Sequence, residues 1–351
     1  MTCKKFARTL PALCAALLLA ACGGEGGSMP QASSAATPAP VAAAAASAGA
    51  AQPIALSAVS ASMELNAPEQ GLQAMAGYIN LGKTCYANSA LKFIIHAIGP
   101  LKLKQHLAMV EMKGGDALQS AAAGFIQLID STHSASGPTS QELRGFFDNL
   151  LSLPAFKDFS IIGTQQDASD FLLKLSQSFA LHEIEGSSLV LNDDNNQFRT
   201  DAEANTWLLL KPTSTDDSLQ DLFDRTSPGD WKFDFRSGLQ HLTVKIDNFG
   251  HGTEVLYRNA NFDFNEPVQL QVANGNLIDT LTLEPREVIE FRGTDNQGHY
   301  IAYAKDDKWV RYNDHRVEVL GRMPSIENVR LIHFAIRRIE TQPAHSLSDP
   351  S

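Results

Sequence analysis

A cysteine at the start of an apolar helical pattern is well placed to act as a nucleophile. Cys85 lies in the segment GYINLGKTCYANSALKF, residues 77–93, and apolar residues recur at helical spacing from Ala87 to Ile98. The partial positive charge at a helix N-terminus stabilises a thiolate, which is the reactive form of cysteine. A single cysteine of this kind is either a nucleophile or an inert buried residue, and this segment leaves both interpretations open.

A second segment supplies the groups that a cysteine nucleophile requires. Nucleophilic catalysis by cysteine needs a histidine as base and a polar residue that orients the histidine. In GHYIAYAKDDKWVRYND, residues 298–314, His299 opens one predicted strand, and Asn313 and Asp314 close the next. Because a hairpin of these strands would bring the three side chains together, the segment predicts a base and an orienting partner for Cys85.

Other chemistries have weaker support in the sequence. Residues 77–84, GYINLGKT, match the phosphate-loop pattern, but MELNAPEQGLQAMA before them is not the buried strand that such a loop follows. The acidic segment that begins at Asp193 lacks the glycine of a calcium loop, and the chain has no H-E-x-x-H or G-x-S-x-G motif. We therefore predict no nucleotide, no metal and no other cofactor.

The N-terminal residues have the features of an exported lipoprotein. Lys4, Lys5 and Arg8 precede a short apolar run, residues 10–21, whereas a permanent membrane helix needs about 20 apolar residues. The run ends in LAAC, which resembles a lipobox. We predict that Cys22 is diacylated and anchors the protein to a membrane through the lipid; an ordinary cleaved signal peptide is the alternative.

Charge and cysteine content restrict the possible partners. The formal net charge of −11 argues against nucleic acid or an anionic membrane surface as the main ligand. Of the four cysteines, Cys3 and Cys14 belong to the predicted signal peptide and Cys22 to the lipid site. Cys85 then remains in the folded domain, which excludes an internal disulfide or a cysteine-based zinc site there.

The hydrophobic pattern changes from helical to β near the middle of the chain. Helical patterns begin near residues 85, 116, 140 and 169, with Gly99-Pro100 ending the first and Asp167 or Ser169 capping the last. After residue 186, apolar segments separated by Asn, Asp and Gly predict antiparallel strands. A helical half followed by a β half predicts an α+β domain with a cleft between two lobes.

The predicted organisation has four parts. They are a lipoprotein signal peptide at 1–21, a flexible Ala/Ser/Pro-rich tether at 22–62, a catalytic domain at 70–341 and a disordered tail at 342–351.

Four segments together resemble the ubiquitin-specific proteases, which are deubiquitinating cysteine peptidases of papain-like fold. GYINLGKTCYANSALKFI resembles the cysteine box of that family, TQQDASDFLLKLSQSF its glutamine-rich box, LQHLTVKIDNF a strand of its palm, and GHYIAYAKDDKWVRYNDHRV its histidine box. The order and spacing agree from about Gly77 to Val319. The resemblance implies a helical thumb lobe and an antiparallel β palm lobe.

The resemblance also implies roles for individual residues. Cys85 would be the nucleophile, His299 the base and then acid, and Asn313 the residue that orients His299. Asn80 would be the side-chain donor of the oxyanion hole, and Asp314 would assist Asn313 or a water molecule. The residues implied to border the channel for the C-terminal tail of the substrate are Gln165, Gln166, Asp167 and Asp170.

The chain departs from the family in its fingers region and its setting. The paired C-x-x-C motifs that bind zinc in many members are missing, and residues 187–208 form a short span, which implies reduced fingers without zinc. The resemblance implies a deubiquitinase that acts on ubiquitin or its conjugates in a eukaryotic host. We expect it on the bacterial outer membrane or cell surface, or released from it. A papain-type peptidase of the bacterial envelope and a non-catalytic ubiquitin-binding module are the alternatives.

Overall fold

The computed structural model describes residues 61–64, 74–181, 184, 188–192, 198–199, 208–225, 231–234, 241–246, 262–274, 276–294, 297–326 and 328–343. These residues belong to one compact unit, Leu56–Ser351. The predicted signal peptide, the lipid site at Cys22, residues 22–60 of the predicted tether and residues 344–351 of the predicted tail lie outside the described residues, as does Asp193. The remaining residues of those two segments, 61–62 and 342–343, lie in strands. Within these ranges, no helix combines the length and the apolar character needed to span a membrane.

Helices dominate the first half of the described chain. They are α1 (Cys85–Ile98), α2 (Pro100–Lys113), α3 (Asp116–Thr132), α4 (Ser140–Leu151) and α5 (Ala168–Phe179), followed later by the short α6 (Leu219–Asp224). The four helices that the periodicity predicts are confirmed. The sequence pattern does not predict α2, because Gly99-Pro100 indicates a helix end. Pro100 instead takes the first position of α2, where its missing N–H costs no hydrogen bond.

Strands form most of the second half. They are β1 (Ala61–Glu64), β2 (Ser188–Asn192), β3 (Phe198–Arg199), β4 (Leu208–Leu210), β5 (Trp231–Asp234), β6 (His241–Ile246), β7 (Val268–Asn274), β8 (Leu277–Thr294), β9 (Gln297–Lys305), β10 (Trp309–Asn313), β11 (Arg316–Leu320) and β12 (Val329–Pro343). Of the predicted strands, TEVLYRN lies outside the described residues. The pattern does not predict the first half of β8, nor the strands β1, β3, β5, β7 and β11.

The described strands make two sheets. The larger has the order β11-β10-β9-β8-β12-β6-β4, with β1 paired to β12 and β7 paired to β8. Its pairs are antiparallel except for β4 with β6. The smaller sheet, in the order β3-β2-β5, includes the span where reduced fingers are predicted. No group of histidine, cysteine or acidic side chains within the described ranges is arranged to hold a metal ion.

The central strands of the larger sheet are buried on both faces. Side chains alternate between the faces of a strand, so Ile289 and Ala302 pack with the helices α1 to α5, whereas Val288 and Ile301 pack in a second cluster that includes α6. Helix α1 lies between α2 and α5 on one side and strands β8, β9 and β10 on the other. All 14 of its residues are buried, so the segment that carries Cys85 is fixed at the centre of the fold.

A buried ion pair anchors the last turn of α1 to the sheet. His96 Nδ1 lies 2.5 Å from Glu287 Oε1, and His96 Nε2 lies 3.3 Å from Asp306 Oδ1. Burial opposes the charge on His96, but its hydrogen bonds to Asp306 and Glu287 raise its pKa from 6.5 to about 9. The charge on His96 therefore contributes fully to stability at about pH 6.5, the pKa of an unperturbed histidine, and this contribution is lost as the pH rises through about 9. Burial raises the pKa of Glu287, so the carboxylate of the pair is protonated in acid more readily than a free glutamate.

We expect His96→Gln to lower the free energy of unfolding by about 3–5 kcal/mol at pH 7, because it leaves Glu287 buried without its partner. Lys104→Gln, which breaks the more exposed pair with Asp130, is the matched control and should cost less than about 1 kcal/mol. Urea unfolding from pH 6 to pH 10 measures both. The difference between wild type and His96→Gln should shrink as the pH rises; a difference that stays constant contradicts the assignment.

Candidate active site

The turn before α1 places Cys85 at the first position of the helix. Asn80 Oδ1 accepts hydrogen bonds from the backbone N–H groups of Gly82 and Thr84 at 3.0 and 3.1 Å. Gly82 and Lys83 have φ values of 107° and 57°, so the chain reverses there through left-handed conformations. The glycine and lysine of the phosphate-loop pattern thus form the turn that leads to Cys85.

The environment of Cys85 favours negative charge. The residue is 2% exposed, and the first turn of α1 contains no acidic side chain. The N–H groups of a first helical turn have no acceptor within the helix, and the helix dipole adds partial positive charge at the same place. An anion on Cys85, or on an acyl group attached to it, is therefore stabilised by the start of α1.

Strands β9 and β10 bring His299 to Asn313, as the hairpin prediction requires. Their antiparallel register pairs Ala302 with Tyr312, so His299 near the start of β9 lies beside the end of β10. His299 Nε2 and Asn313 Oδ1 are 2.6 Å apart. An amide oxygen can only accept, so Nε2 carries the hydrogen. The other ring nitrogen, Nδ1, is then free to exchange a proton with Cys85.

Cys85 changes the proton affinity of His299. The hydrogen bond to Cys85 raises the pKa of His299 from 6.5 to about 9; partial burial opposes this, while the bond to Asn313 and the charges of Cys85 and Asp314 reinforce it. A histidine with this pKa is protonated at neutral pH. The pair is thus suited to a thiolate beside an imidazolium.

Asp314 connects the residues around this pair. Its Oδ1 accepts from Asn88 Nδ2 at 2.8 Å and its Oδ2 from Asn80 Nδ2 at 3.0 Å. Its Oδ2 is 3.9 Å from His299 Nε2, which is too long for a hydrogen bond. Asp314 therefore fixes the two asparagines and contributes charge to His299, whereas Asn313 makes the direct contact. The sequence analysis missed Asn88, although its spacing of three residues from Cys85 places both on one helix face.

A close approach of the backbone holds the segment before Asn80 against this turn. The backbone N–H of Tyr78 donates to the carbonyl oxygen of Asp314 at 2.9 Å. A Cβ at Gly77 would lie 2.5 Å from the carbonyl atoms of His315, so only glycine fits there.

In the glutamine-rich segment, Gln165 contacts Cys85 and Asp167 caps the next helix. Gln165 Nε2 lies 3.9 Å from Cys85 Sγ, and both Gln165 and Gln166 are half-buried. Asp167 caps α5 by accepting from Ser169 N at 2.7 Å, which confirms the predicted cap. Asp170, in the first turn of α5, is exposed.

Arg330 is the ion-pair partner of Asp167. The two side chains form an ion pair, and the Tyr300 hydroxyl donates to the same carboxylate at 3.5 Å. Although burial acts in the opposite direction, Arg330 and the cap hydrogen bonds lower the pKa of Asp167. Partial burial and the charge of Asp167 raise the pKa of Asp170. The carboxylate of Asp167 is thus bound by Arg330 and by the helix cap, whereas the exposed carboxylate of Asp170 is accessible to a ligand. The sequence analysis missed Arg330.

Solved structures with a similar fold include the SAGA DUB module of Ubp8, Sgf11, Sus1 and Sgf73. A chain of the module bound to monoubiquitin is 16% identical, covers 75% of this chain and 69% of its own, and has a TM-score of 0.51. A chain of the module bound to ubiquitin aldehyde is 16% identical, covers 75% of this chain and 70% of its own, and has a TM-score of 0.50. A chain of the yeast module is 15% identical, covers 75% of this chain and 69% of its own, and has a TM-score of 0.51.

These similarities concern the fold. No family model matches the sequence, and no curated protein is significantly similar to it. The predicted combination of a helical lobe and an antiparallel sheet is confirmed, and its structural neighbours belong to a deubiquitinase module.

Proposed function

We propose that this chain is a cysteine-type deubiquitinase that hydrolyses the bond after the C-terminal glycine of ubiquitin. The observation that supports this most is that His299 donates to Asn313 at 2.6 Å and that its pKa is raised chiefly by Cys85. The set lies on a fold similar to that of DUB-module chains, and two of those structures hold monoubiquitin or ubiquitin aldehyde.

The geometry suits a two-step acyl transfer. The Cys85 thiolate attacks the carbonyl carbon of the terminal glycine, and His299 Nδ1 gives its proton to the leaving amine, which yields a thioester. Neutral His299 then takes a proton from water, whose oxygen attacks the thioester and expels the thiolate. Asn313 keeps the ring oriented through both steps. The backbone N–H groups at the start of α1 stabilise the oxyanion of each tetrahedral intermediate.

A fluorogenic amide at the C-terminus of ubiquitin tests the proposal. We expect the purified wild-type protein to cleave it far faster than the same amide on a Leu-Arg-Gly-Gly peptide, because the body of ubiquitin adds binding energy. Binding of ubiquitin without cleavage would instead identify a binding module. Hydrolysis of unrelated peptides at a rate equal to the ubiquitin amide would identify a general peptidase.

We propose that the carboxylate of Asp170 binds an arginine side chain in the ubiquitin tail. Its exposed carboxylate lies in the first turn of α5, three residues after Asp167 and five after Gln165. Because charge reversal places two cations together, Asp170→Arg should cost several kcal/mol in kcat/KM for substrates that end in Leu-Arg-Gly-Gly. Exchanging the tail arginine for glutamate should restore part of the rate.

A matched control separates this effect from a change in helix stability. Asp116 is also exposed and acidic in the first turn of a helix, α3, so Asp116→Arg changes the same interaction with a helix dipole. We expect Asp116→Arg to leave kcat/KM within about twofold of wild type, since surface changes are usually small. An equal loss for Asp170→Arg on both ubiquitin tails would show that Asp170 supports the fold and does not contact the tail.

The location of the protein is proposed from Cys22. A lipid on this residue would hold the domain at the outer membrane or cell surface of a bacterium, and display or release would bring it to host ubiquitin conjugates. We expect Cys22→Ser to move the protein from the membrane to the soluble fraction without changing kcat/KM. Radiolabelled palmitate should enter wild type but not the variant; a wild type without label would indicate plain signal cleavage.

A further inference from the structure

One face of α1 carries polar side chains toward strands β8, β9 and β10. Cys85, Asn88 and Lys92 follow one another at spacings of three and four residues, so they share a face of the helix. Asn88 binds Asp314, the residue after β10. Lys92, two turns from Cys85, is the next group on this face and is only 2% exposed. Its amine must therefore find its partners inside the protein.

The Lys92 amine joins α1 to the segment before Asn80 and to strand β10. Nζ donates to the carbonyl oxygen of Ala76 and lies 3.5 Å from the centre of the Tyr78 ring. It lies 5.6 Å from the centre of the Tyr312 ring, on β10. Burial lowers the pKa of Lys92 well below its ordinary value, which favours a neutral amine whose N–H groups donate to these partners.

The two aromatic partners of Lys92 belong to segments that are bonded to each other. The backbone N–H of Tyr78 donates to the carbonyl oxygen of Asp314 at 2.9 Å. The hydroxyl of Tyr312 accepts from the backbone N–H of Met75 at 3.2 Å. The segment before α1 and the end of β10 thus lie side by side, and Lys92 fixes both to the helix.

Both segments lead directly to residues of the candidate site. The first continues into Asn80, which binds the turn before Cys85. The second ends in Asn313, which accepts from His299 Nε2 at 2.6 Å. A displacement where the segments meet therefore changes the alignment of the thiolate with the imidazole. An error of about 1 Å in such an alignment can cost about 10²-fold in rate.

We infer that Lys92 is a positioning residue for the pair formed by Cys85 and His299. Its amine acts through the rings of Tyr78 and Tyr312, and it sets the position of α1 relative to the end of β10. Because it lies two helical turns from Cys85, it takes no part in the chemistry itself. The inference rests on the proposed function for the natural substrate, but the alignment of the pair can be measured without ubiquitin.

Alkylation by iodoacetamide reports the alignment of the pair in the full chain. Cys85 Sγ displaces iodide and forms a thioether, at a rate that follows the fraction of thiolate. Mass spectrometry of the peptide that contains Cys85 separates this reaction from alkylation of the other cysteines. An imidazolium at His299 stabilises the thiolate, so we expect wild type to react rapidly at about pH 6.5, where an unpaired thiol is almost entirely protonated.

We expect Lys92→Met, which keeps most of the side-chain volume but removes the donor, to slow this alkylation about tenfold at about pH 6.5. At about pH 9.5, where an unpaired thiol is ionised, the variant and wild type should agree within about twofold. Lys92→Gln, which keeps an N–H donor, should recover part of the loss. If Lys92→Met does not fold, the two rates of Lys92→Gln decide the question in the same way.

Lys174→Met is the matched control. Lys174 Nζ also donates to a backbone carbonyl, that of Ala155 at 2.8 Å, and lies 5.5 Å from the centre of the Phe159 ring. These contacts do not involve the segments that carry Asn80 or Asn313. We therefore expect Lys174→Met to be alkylated at the wild-type rate at both pH values.

The ubiquitin amide supplies a second readout. Lys92→Met should lower kcat about 10- to 10²-fold while the affinity for free ubiquitin stays unchanged. It should also move the basic limb of the pH profile of kcat/KM to lower pH, because the contact between Asn313 and His299, which raises the pKa of His299, is loosened.

Two results would overturn the inference. One is a loss by the same factor at every pH, in alkylation and in turnover, which would show that Lys92 only supports the fold; the other is wild-type rates in Lys92→Met throughout. A wild type that is alkylated rapidly at Cys85 but does not cleave the ubiquitin amide would refute the proposed function, and the alkylation rates would still decide the role of Lys92.

Discussion

Replacing Cys85 by alanine is expected to abolish turnover of the ubiquitin amide while the fold and the binding of ubiquitin are retained. The thiolate is the atom that forms the acyl intermediate, so its loss removes the reaction path and leaves only the background rate of the oxyanion site. The change deletes one buried atom from a residue that is 2% exposed, so we expect a stability loss of about 1 kcal/mol. Turnover, circular dichroism and ubiquitin titration measure the three quantities.

Covalent labelling identifies the nucleophile independently. A ubiquitin with a propargyl or vinyl electrophile at its C-terminus should attach to wild type at Cys85, as located by mass spectrometry of the peptides. Cys22→Ser is the matched control, because it removes another cysteine from the same chain and should be labelled at the wild-type rate. Labelling that persists in Cys85→Ala would show that a different residue attacks the carbonyl.

Local patterns were sufficient for the part of the site that depends on neighbouring segments. His299 and Asn313 lie on two strands joined by a short connection, so alternation and turn residues predict their approach. The cap at Asp167 follows from residue type and its position before an apolar helix. Each of these features depends on residues that lie close together in the sequence, where periodicity and turn residues are informative.

Such local patterns could not predict contacts between segments that are distant in the sequence. Arg330 pairs with Asp167 across 163 positions, and Asn88 bonds Asp314 across 226, so neither partner can be read from local sequence. Helix α2 was missed for another reason: proline at a helix start and proline after a helix end look alike when two helices are separated by the single residue Gly99.

The direct contact between Asn313 and His299 predicts that Asn313 matters more than Asp314. Asn313 Oδ1 lies 2.6 Å from His299 Nε2, whereas the nearest oxygen of Asp314 is 3.9 Å away and already accepts from Asn80. We expect Asn313→Ala to lower kcat/KM about 10²- to 10⁴-fold, because the imidazole loses the bond that fixes its tautomer. Asp314→Ala should lower kcat/KM less.

Because Asp314 also has a structural role, a more conservative substitution is needed as a control. Asp314 has φ of 51°, a left-handed conformation that alanine tolerates poorly and asparagine tolerates well. Asp314→Asn therefore keeps the turn and one acceptor oxygen while it removes the charge. We expect its kcat/KM to lie within about tenfold of wild type, since the charge acts on His299 from beyond hydrogen-bond distance.

The pH dependence of kcat/KM distinguishes orientation of His299 from general loss of structure. Deprotonation of the imidazolium removes the proton that the leaving amine needs, so activity should fall as the pH rises through the pKa of His299, about 9. The hydrogen bond to Asn313 and the charge of Asp314 both raise this pKa. Asn313→Ala should therefore move the basic limb of the pH profile to lower pH, and Asp314→Asn should move it less in the same direction. A variant that only lowers the folded fraction would instead reduce kcat/KM by the same factor at every pH. A larger loss of rate and a larger shift of the limb in Asp314→Asn would reverse the two roles and make Asp314 the residue that orients His299.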